Sequence, residues 1–390
     1  MKIETANRVR QIEEYYFSKK LKEIAAMVAQ GIDVLNLGIG SPDLSPAKEV
    51  INRLSLESQK DGHHKYQSYI GVEKLRNAFA IWYQHYFHIR LDPQSEILPL
   101  MGSKEGIMHI SMTFLQEGDE VLIPNPGYPA YRATALLAGA TPVEYLLYEK
   151  SGWLPDLKEI EKKDLSKVKI MWINYPHMPT GANANVEFFK ALIAFAKRHN
   201  ILIVNDNPYS FILNQPLSIL SVEGAREVAI ELNSLSKSHN MAGWRMGMMA
   251  GKSEWLAEIL KFKSNMDSGM FLPAQLAAVQ ALSLDKNWYA DLNRIYTARK
   301  KKVLQIMDLL DCTCQSDTGG MFVWGKISGR FKDAYELSDI VLNNAHVFLT
   351  PGGVFGSQGD QYIRISLCAK LEVFEEAYIR VSKVLNTIEA

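Results

Sequence analysis

Two short apolar runs with an amphipathic segment between them constrain this chain more than any other feature. Val168-Lys-Ile-Met-Trp-Ile173 and Ile201-Leu-Ile-Val204 have the length of strands. Between them, Val186 to His199 places Phe188, Phe189, Leu192, Ile193 and Phe195 at helical spacing. Strand, helix, strand at this separation argues for parallel pairing in an α/β sheet. Glu120 to Pro124 and Ile97 to Met101 read as further strands. In such sheets ligands sit beyond the carboxyl ends of the strands. The polar clusters that follow the apolar runs are therefore the places to search.

The most telling cluster follows Val228, Ile230 and Leu232, which alternate with Ala229, Glu231 and Asn233 as a strand does. It reads Ser234-Leu-Ser236-Lys237-Ser238, a polar turn, and then Met241-Ala-Gly243-Trp-Arg245-Met-Gly247. The hydroxyls and the guanidinium can bind one phosphate together. The Lys237 amine can attack one aldehyde. Pyridoxal phosphate carries both groups and forms a Schiff base with a protein lysine. An exposed basic loop is the alternative for this stretch taken alone.

Other clusters bear on the same ligand. Asp206, in Asn205-Asp-Asn-Pro-Tyr209, can face a pyridine nitrogen and keep it protonated, with Tyr209 donating to the ring's phenolic oxygen; the same residues also suit a plain turn. Asn174 opens the irregular loop to Gly181 and can reach that phenolic oxygen or a substrate carboxylate. Gly102-Ser103-Lys104-Glu-Gly106 opens a helix, where free backbone amides bind phosphate and Ser103 can also act as an N-cap. Tyr128 can stack on a flat cofactor or fill the core. Arg364, a charge inside the apolar strand Tyr362 to Ser366, needs a partner: a substrate carboxylate or a structural acid.

Length and composition bound the rest. A chain of 390 residues fits one large domain and a smaller one. Lys plus Arg and Asp plus Glu each total 43, so no net field draws the chain to nucleic acid or an anionic membrane. The basic run Arg299 to Lys302 is expected on the solvated face of a long helix, Asn287 to Leu310, whose apolar side carries Leu292, Ile295, Val303, Ile306 and Leu310. That helix leads into an α+β layer with strands Met321 to Trp324, Val347 to Thr350 and Tyr362 to Ser366, and helices Ala334 to Asn343 and Glu372 to Leu385. An amino-terminal helix, Glu13 to Gln30, packs with it. The expected division is 46–286 for the large domain and 1–45 with 287–390 for the small one. Cys312, Cys314 and Cys368 give neither a disulfide framework nor a zinc site. The charged start Met1-Lys-Ile-Glu lacks a signal-peptide core, and no apolar run is long enough to span a membrane, so a cytoplasmic setting is expected.

Taken in order, from Leu37-Gly38-Ile-Gly40-Ser-Pro-Asp43 to Arg364, these motifs resemble the class I/II aminotransferases of fold type I. The resemblance implies a mostly parallel seven-stranded sheet in the large domain. It implies that Lys237 holds pyridoxal 5′-phosphate and moves the substrate proton. Asp206 would pair with the pyridine nitrogen, and Asn174 and Tyr209 with the phenolic oxygen. Gly102, Ser103, Lys104, Ser234, Ser236 and Arg245 would surround the phosphate, and Tyr128 would stack on the ring. Arg364 would clamp the α-carboxylate, helped by Asn174 and the backbone at Gly40. Tyr66 matches a tyrosine that crosses a homodimer interface to the neighbouring phosphate. An amino acid and a 2-oxo acid would be the partners in a ping-pong exchange. Two departures stand out. Met178 replaces an asparagine often found before Pro-Thr-Gly. Ser268 to Pro273 lacks the arginine of the dicarboxylate-specific members and leans toward the alanine and LL-diaminopimelate branches. A β-eliminating enzyme on the same fold, or a non-enzymatic regulator, are the alternative readings.

Overall fold

A computed structural model of the chain describes residues 3–12 and 16–388. Its strands run β1 Leu35–Asn36, β2 Ile97–Leu100, β3 Glu120–Asn125, β4 Thr141–Leu146, β5 Val168–Ile173, β6 Leu202–Asp206, β7 Ala229–Ser234, β8 Gly247–Ala250, β9 Thr313–Cys314, β10 Phe322–Lys326, β11 Val347–Phe348, β12 Thr350–Pro351 and β13 Tyr362–Ser366. Seven of them form one sheet in the order β2-β8-β7-β6-β5-β3-β4. Every pairing from β7 through to β4 is parallel, and β8 alone runs antiparallel to both its neighbours. The parallel sheet expected from the strand–helix–strand spacing is therefore present.

The connecting helix is Val186–His199, bounded by local chemistry at both ends. The Asn185 side chain accepts from the amide of Phe188 at 2.8 Å, and Asn200 closes the helix in the left-handed region at φ 53°. Helices cover both faces of the sheet, so its central strands are buried throughout rather than on alternate sides. All six residues of β7 are buried, including Glu231. That carboxylate accepts from Tyr83 Oη at 3.0 Å, Asn205 Nδ2 at 2.9 Å and the Ile219 amide at 3.1 Å. Burial pushes its pKa up, and these bonds oppose the shift.

The carboxyl ends of β2, β3, β5, β6 and β7 share one edge of the sheet. Because β8 is antiparallel, it begins at that same edge, and Arg245 lies just before it. The topology thus delivers Ser103, Asn174, Asp206, Ser234 and Arg245 to one place.

A four-stranded antiparallel sheet, β12-β13-β10-β9, and the pair β1-β11 make up the remaining β structure of the described residues. The long helix runs Lys286–Leu309. Two expectations about it need correction. Arg299 does not face solvent. It is 3% exposed and donates to both carboxylate oxygens of Asp43, at 2.7 and 2.8 Å, because the amino-terminal segment passes across the helix there. Ile295, placed on the apolar side by periodicity, is 40% exposed. The amino-terminal helix is described over Tyr16–Ala29; residues 13–15 of the expected span lie outside the described residues.

Candidate active site

Just beyond the shared edge lies a cavity of about 440 Å³, lined by Gly40, Ser103, Lys104, Tyr128, Asn174, Asp206, Tyr209, Ser234, Ser236, Lys237, Arg245 and Arg364 among others. All the residues singled out in the sequence line it except Gly102 and Tyr66. Gly102 sits directly behind the wall. Tyr66 is on the surface, 89% exposed.

Lys237 follows β7 in the single helical turn Leu235–Ser238. Its Nζ is buried and donates to the carbonyl oxygen of Gly40 at 2.6 Å. Burial is the main reason its pKa is lowered. The Arg364 and Arg245 cations lower it further, while Cys368 and Asp206 pull the other way. A less protonated amine is a better nucleophile.

Asp206 ends β6. Burial pushes its carboxyl up to about 6, against the pull of the Tyr131 and Ser103 hydroxyls and the Lys237 cation. Tyr131 donates to Oδ2 at 3.0 Å, whereas Oδ1 is buried without a hydrogen-bond partner. An orphaned carboxylate oxygen facing a cavity suits a ligand that brings an N–H and a positive charge.

The phosphate end is built from glycine geometry and hydroxyls. Gly102 has φ +84°, and a Cβ there would stand 2.2 Å from Arg245 Nη2. Only glycine lets the guanidinium close over the start of the helix Ser103–Phe114, an end where free backbone amides favour an anion. Ser234 and Ser236 share a hydroxyl–hydroxyl bond of 2.8 Å beside it. A lysine, a buried carboxylate, and a cradle of amides, hydroxyls and guanidinium together match the aldehyde, pyridine nitrogen and phosphate of pyridoxal 5′-phosphate.

At the other end, Arg364 on β13 packs against two aromatic rings, its guanidinium carbon 4.0 Å from the Phe322 centroid and 4.6 Å from that of Phe355. Its Nη2 donates to Gly38 O at 2.6 Å. Asn174 is partly committed to main chain: Nδ2 donates to Asp206 O and Oδ1 accepts from the Met178 amide at 2.8 Å. One N–H of its amide group remains for a ligand. Tyr209 is buried edge-on to Phe322, with centroids 6.0 Å apart, and burial raises its phenol's pKa.

Sequence reasoning passed over Tyr131. It follows Tyr128 by three residues on the helix Ala130–Leu137, stacks on Trp172 at 5.0 Å and bonds Asp206. Its helical spacing from Tyr128 was the available signal, but a tyrosine in an apolar stretch reads as core. Phe322 and Phe355 had no motif to mark them.

Outside the cavity, Glu105, His109 and Asp267 converge with ligand atoms within 4.8 Å of one another. Lys263 Nζ already pairs with Asp267 there at 2.5 Å, both side chains buried. Asp267 Oδ1 also accepts from the Gly269 amide at 2.9 Å, so this ion pair anchors the Ser268 to Pro273 loop.

Fold and site together define a pyridoxal phosphate-dependent transaminase, and the chain belongs to the class I and II aminotransferases, whose family model matches residues 32–378. It is similar to LL-diaminopimelate aminotransferases: 38% identical to that of Aquifex aeolicus over 98% of this chain and 99% of the relative, and 36% identical to that of Moorella thermoacetica over 99% and 100%. Among solved structures it is similar to substrate-bound BacF from Bacillus subtilis, with TM-score 0.94, 34% identity and 98% of each chain covered.

Proposed function

We propose that Lys237 is the covalent anchor for pyridoxal phosphate and the group that moves the substrate proton. The observation that carries this is that the Lys237 side chain lines one cavity with Asp206, whose Oδ1 has no partner, and with Arg364. The cofactor supplies an aldehyde for the amine and a protonated ring that accepts the electron pair released from Cα. Asp206 holds the ring-nitrogen proton. Ser103, Lys104, Ser234, Ser236, Arg245 and the backbone beside Gly102 hold the phosphate. Asn174 and Tyr209 would hold the phenolic oxygen, and Tyr128 would pack on the ring. Arg364, with Asn174 and the backbone at Gly40, would orient the substrate α-carboxylate in the cavity that Lys237 also lines. Lys237 would take the Cα proton and return it across the imine nitrogen to the aldehyde-derived carbon, and water would then release a 2-oxo acid and leave the amino group with the cofactor. A second oxo acid reverses the sequence.

The division into 46–286 and 1–45 with 287–390 fits the separate sheets, with the cavity between them. We also read the chain as a homodimer. Tyr66, Tyr69 and Phe271 are exposed on one corner, where His64 packs on Phe271 at 5.8 Å and Gly269 abuts Gln67 O. Tyr66 of one protomer would reach the phosphate of its partner. A cytoplasmic setting accords with three free thiols. Borohydride reduction of protein incubated with pyridoxal phosphate should leave one phosphopyridoxyl group on the peptide containing Lys237. A label elsewhere, or full turnover by Lys237→Ala, would remove the lysine from this role.

A further inference from the structure

On the proposed function, every charged side chain on the cavity wall already has a task. Lys237, Asp206, Lys104 and Arg245 serve the cofactor, and Arg364 the α-carboxylate. The wall around Arg364 is different in kind. The Phe322 and Phe355 rings both pack against its guanidinium, and Met178 Sδ lies 3.5 Å from Nη1. Toward the mouth stand Leu21, from the helix Tyr16–Ala29, and Ile39, at 37% and 38% exposure. Ser41 adds a hydroxyl, which cannot neutralise a charge. On the corner assigned to the homodimer contact, Phe271 stands exposed in Ser268-Gly-Met-Phe-Leu-Pro273, which contains no cation.

A substrate tail entering this space meets aliphatic and aromatic surface. A tail ending in a charge would lose its water there without gaining a counter-ion. Burying an unpaired charge costs far more than burying a neutral polar group, so the discrimination expected here falls on charged tails. LL-diaminopimelate, the compound in the relatives' names, ends in both an ammonium and a carboxylate. We infer that the preferred amino donor of this chain instead carries an uncharged, apolar side chain, branched aliphatic or aromatic, recognised by Leu21, Ile39, Met178, Phe322 and Phe355. This rests on the roles given above to Lys237 and Arg364.

The test uses the cofactor-loaded enzyme and carboxylates that cannot react. 3-Phenylpropanoate and 4-methylpentanoate offer Arg364 a carboxylate with an apolar tail, whereas adipate ends in a second carboxylate. Calorimetric titration should give the apolar acids a Kd at least tenfold below that of adipate. In parallel, kcat/KM for L-phenylalanine, L-leucine and L-methionine should exceed that for LL-diaminopimelate and L-glutamate by at least tenfold. Ile39→Arg should narrow the ratio of L-leucine to L-glutamate at least tenfold. Tighter binding of adipate, or a preference for LL-diaminopimelate, overturns the inference, with Lys65 of the homodimer corner then the first cation to examine. An Ile39→Arg ratio equal to wild type likewise overturns recognition by this wall. Absence of the Lys237 adduct would instead defeat the cofactor reading itself, so the two failures are distinguishable.

Discussion

The phenol of Tyr131 donates to Oδ2 of Asp206 at 3.0 Å while its ring lies flat on Trp172, with an interplanar angle of 6°. The hydroxyl that steadies the buried carboxylate is thus positioned by an aromatic stack. A hydrogen bond to a charged group contributes about 2 kcal/mol, and more is lost when the partner stays buried. Tyr131→Phe should therefore destabilise the cofactor-free protein by about 2 kcal/mol at pH 8 and push the Asp206 carboxyl above 6. Denaturant unfolding measures the first effect. Equal midpoints for variant and wild type would show that the bond contributes nothing.

Asp206 makes stability depend on pH in a direction unusual for a carboxylate. Its folded pKa of about 6 lies above the ordinary aspartate value of 3.8, so the folded protein keeps this proton longer than the unfolded chain does. The cofactor-free protein should lose stability as pH rises from about 4 to about 6 and remain penalised above that, by about 3 kcal/mol. Asp206→Asn removes this contribution. The variant's stability relative to wild type should improve between pH 4.5 and pH 8, although it binds pyridoxal phosphate more weakly. A difference that stays constant across that range would contradict the assignment.

Gly102→Ala tests the phosphate cradle. With φ at +84° and a Cβ site 2.2 Å from Arg245 Nη2, the methyl group must push the guanidinium aside. Affinity for pyridoxal phosphate should fall at least tenfold, whereas that for pyridoxal, which lacks the phosphate, should change little. Equilibrium dialysis with both compounds reads the contrast. An equal loss for both would point to general damage rather than to the cradle.

The Lys263–Asp267 pair predicts an asymmetry between single and double variants. Asp267→Ala leaves a buried ammonium uncompensated and frees the Gly269 amide, at an expected cost of about 3–5 kcal/mol. Lys263→Met combined with Asp267→Leu should recover much of that loss. Thermal unfolding of the three proteins decides it, and additive losses in the double variant would rule out the coupling.

Legibility in the sequence followed physical locality. Strands such as β5 and the helix Val186–His199 carry their signal in their own side chains. Lys237, Asp206 and Arg245 stood out because each interrupts or ends an apolar run. What stayed hidden depends on distant neighbours. Arg299 looks solvated until Asp43 is seen crossing the helix, and Glu231 looks like the polar side of a strand until helices close over both faces. β1 and β9 hold two residues each, too few to show a period. β4 and β8 went unread, although β8 is the strand that brings Arg245 to the site.

The pairing of β1 with β11 has a consequence for the order of events during synthesis. Leu35 aligns with Val347, and the Thr350 hydroxyl donates to Gly38 O, 312 residues away along the chain. The segment around Leu35 must wait for Val347 to be made before its strand has a partner. The seven-stranded sheet, complete by Ala250, can form while that segment is still loose. Gly40, whose carbonyl receives the Lys237 amine, travels with it. A nascent chain stalled before Val347 can therefore hold a folded sheet and still lack a closed pocket, so the reactive lysine is enclosed only once synthesis has passed Thr350.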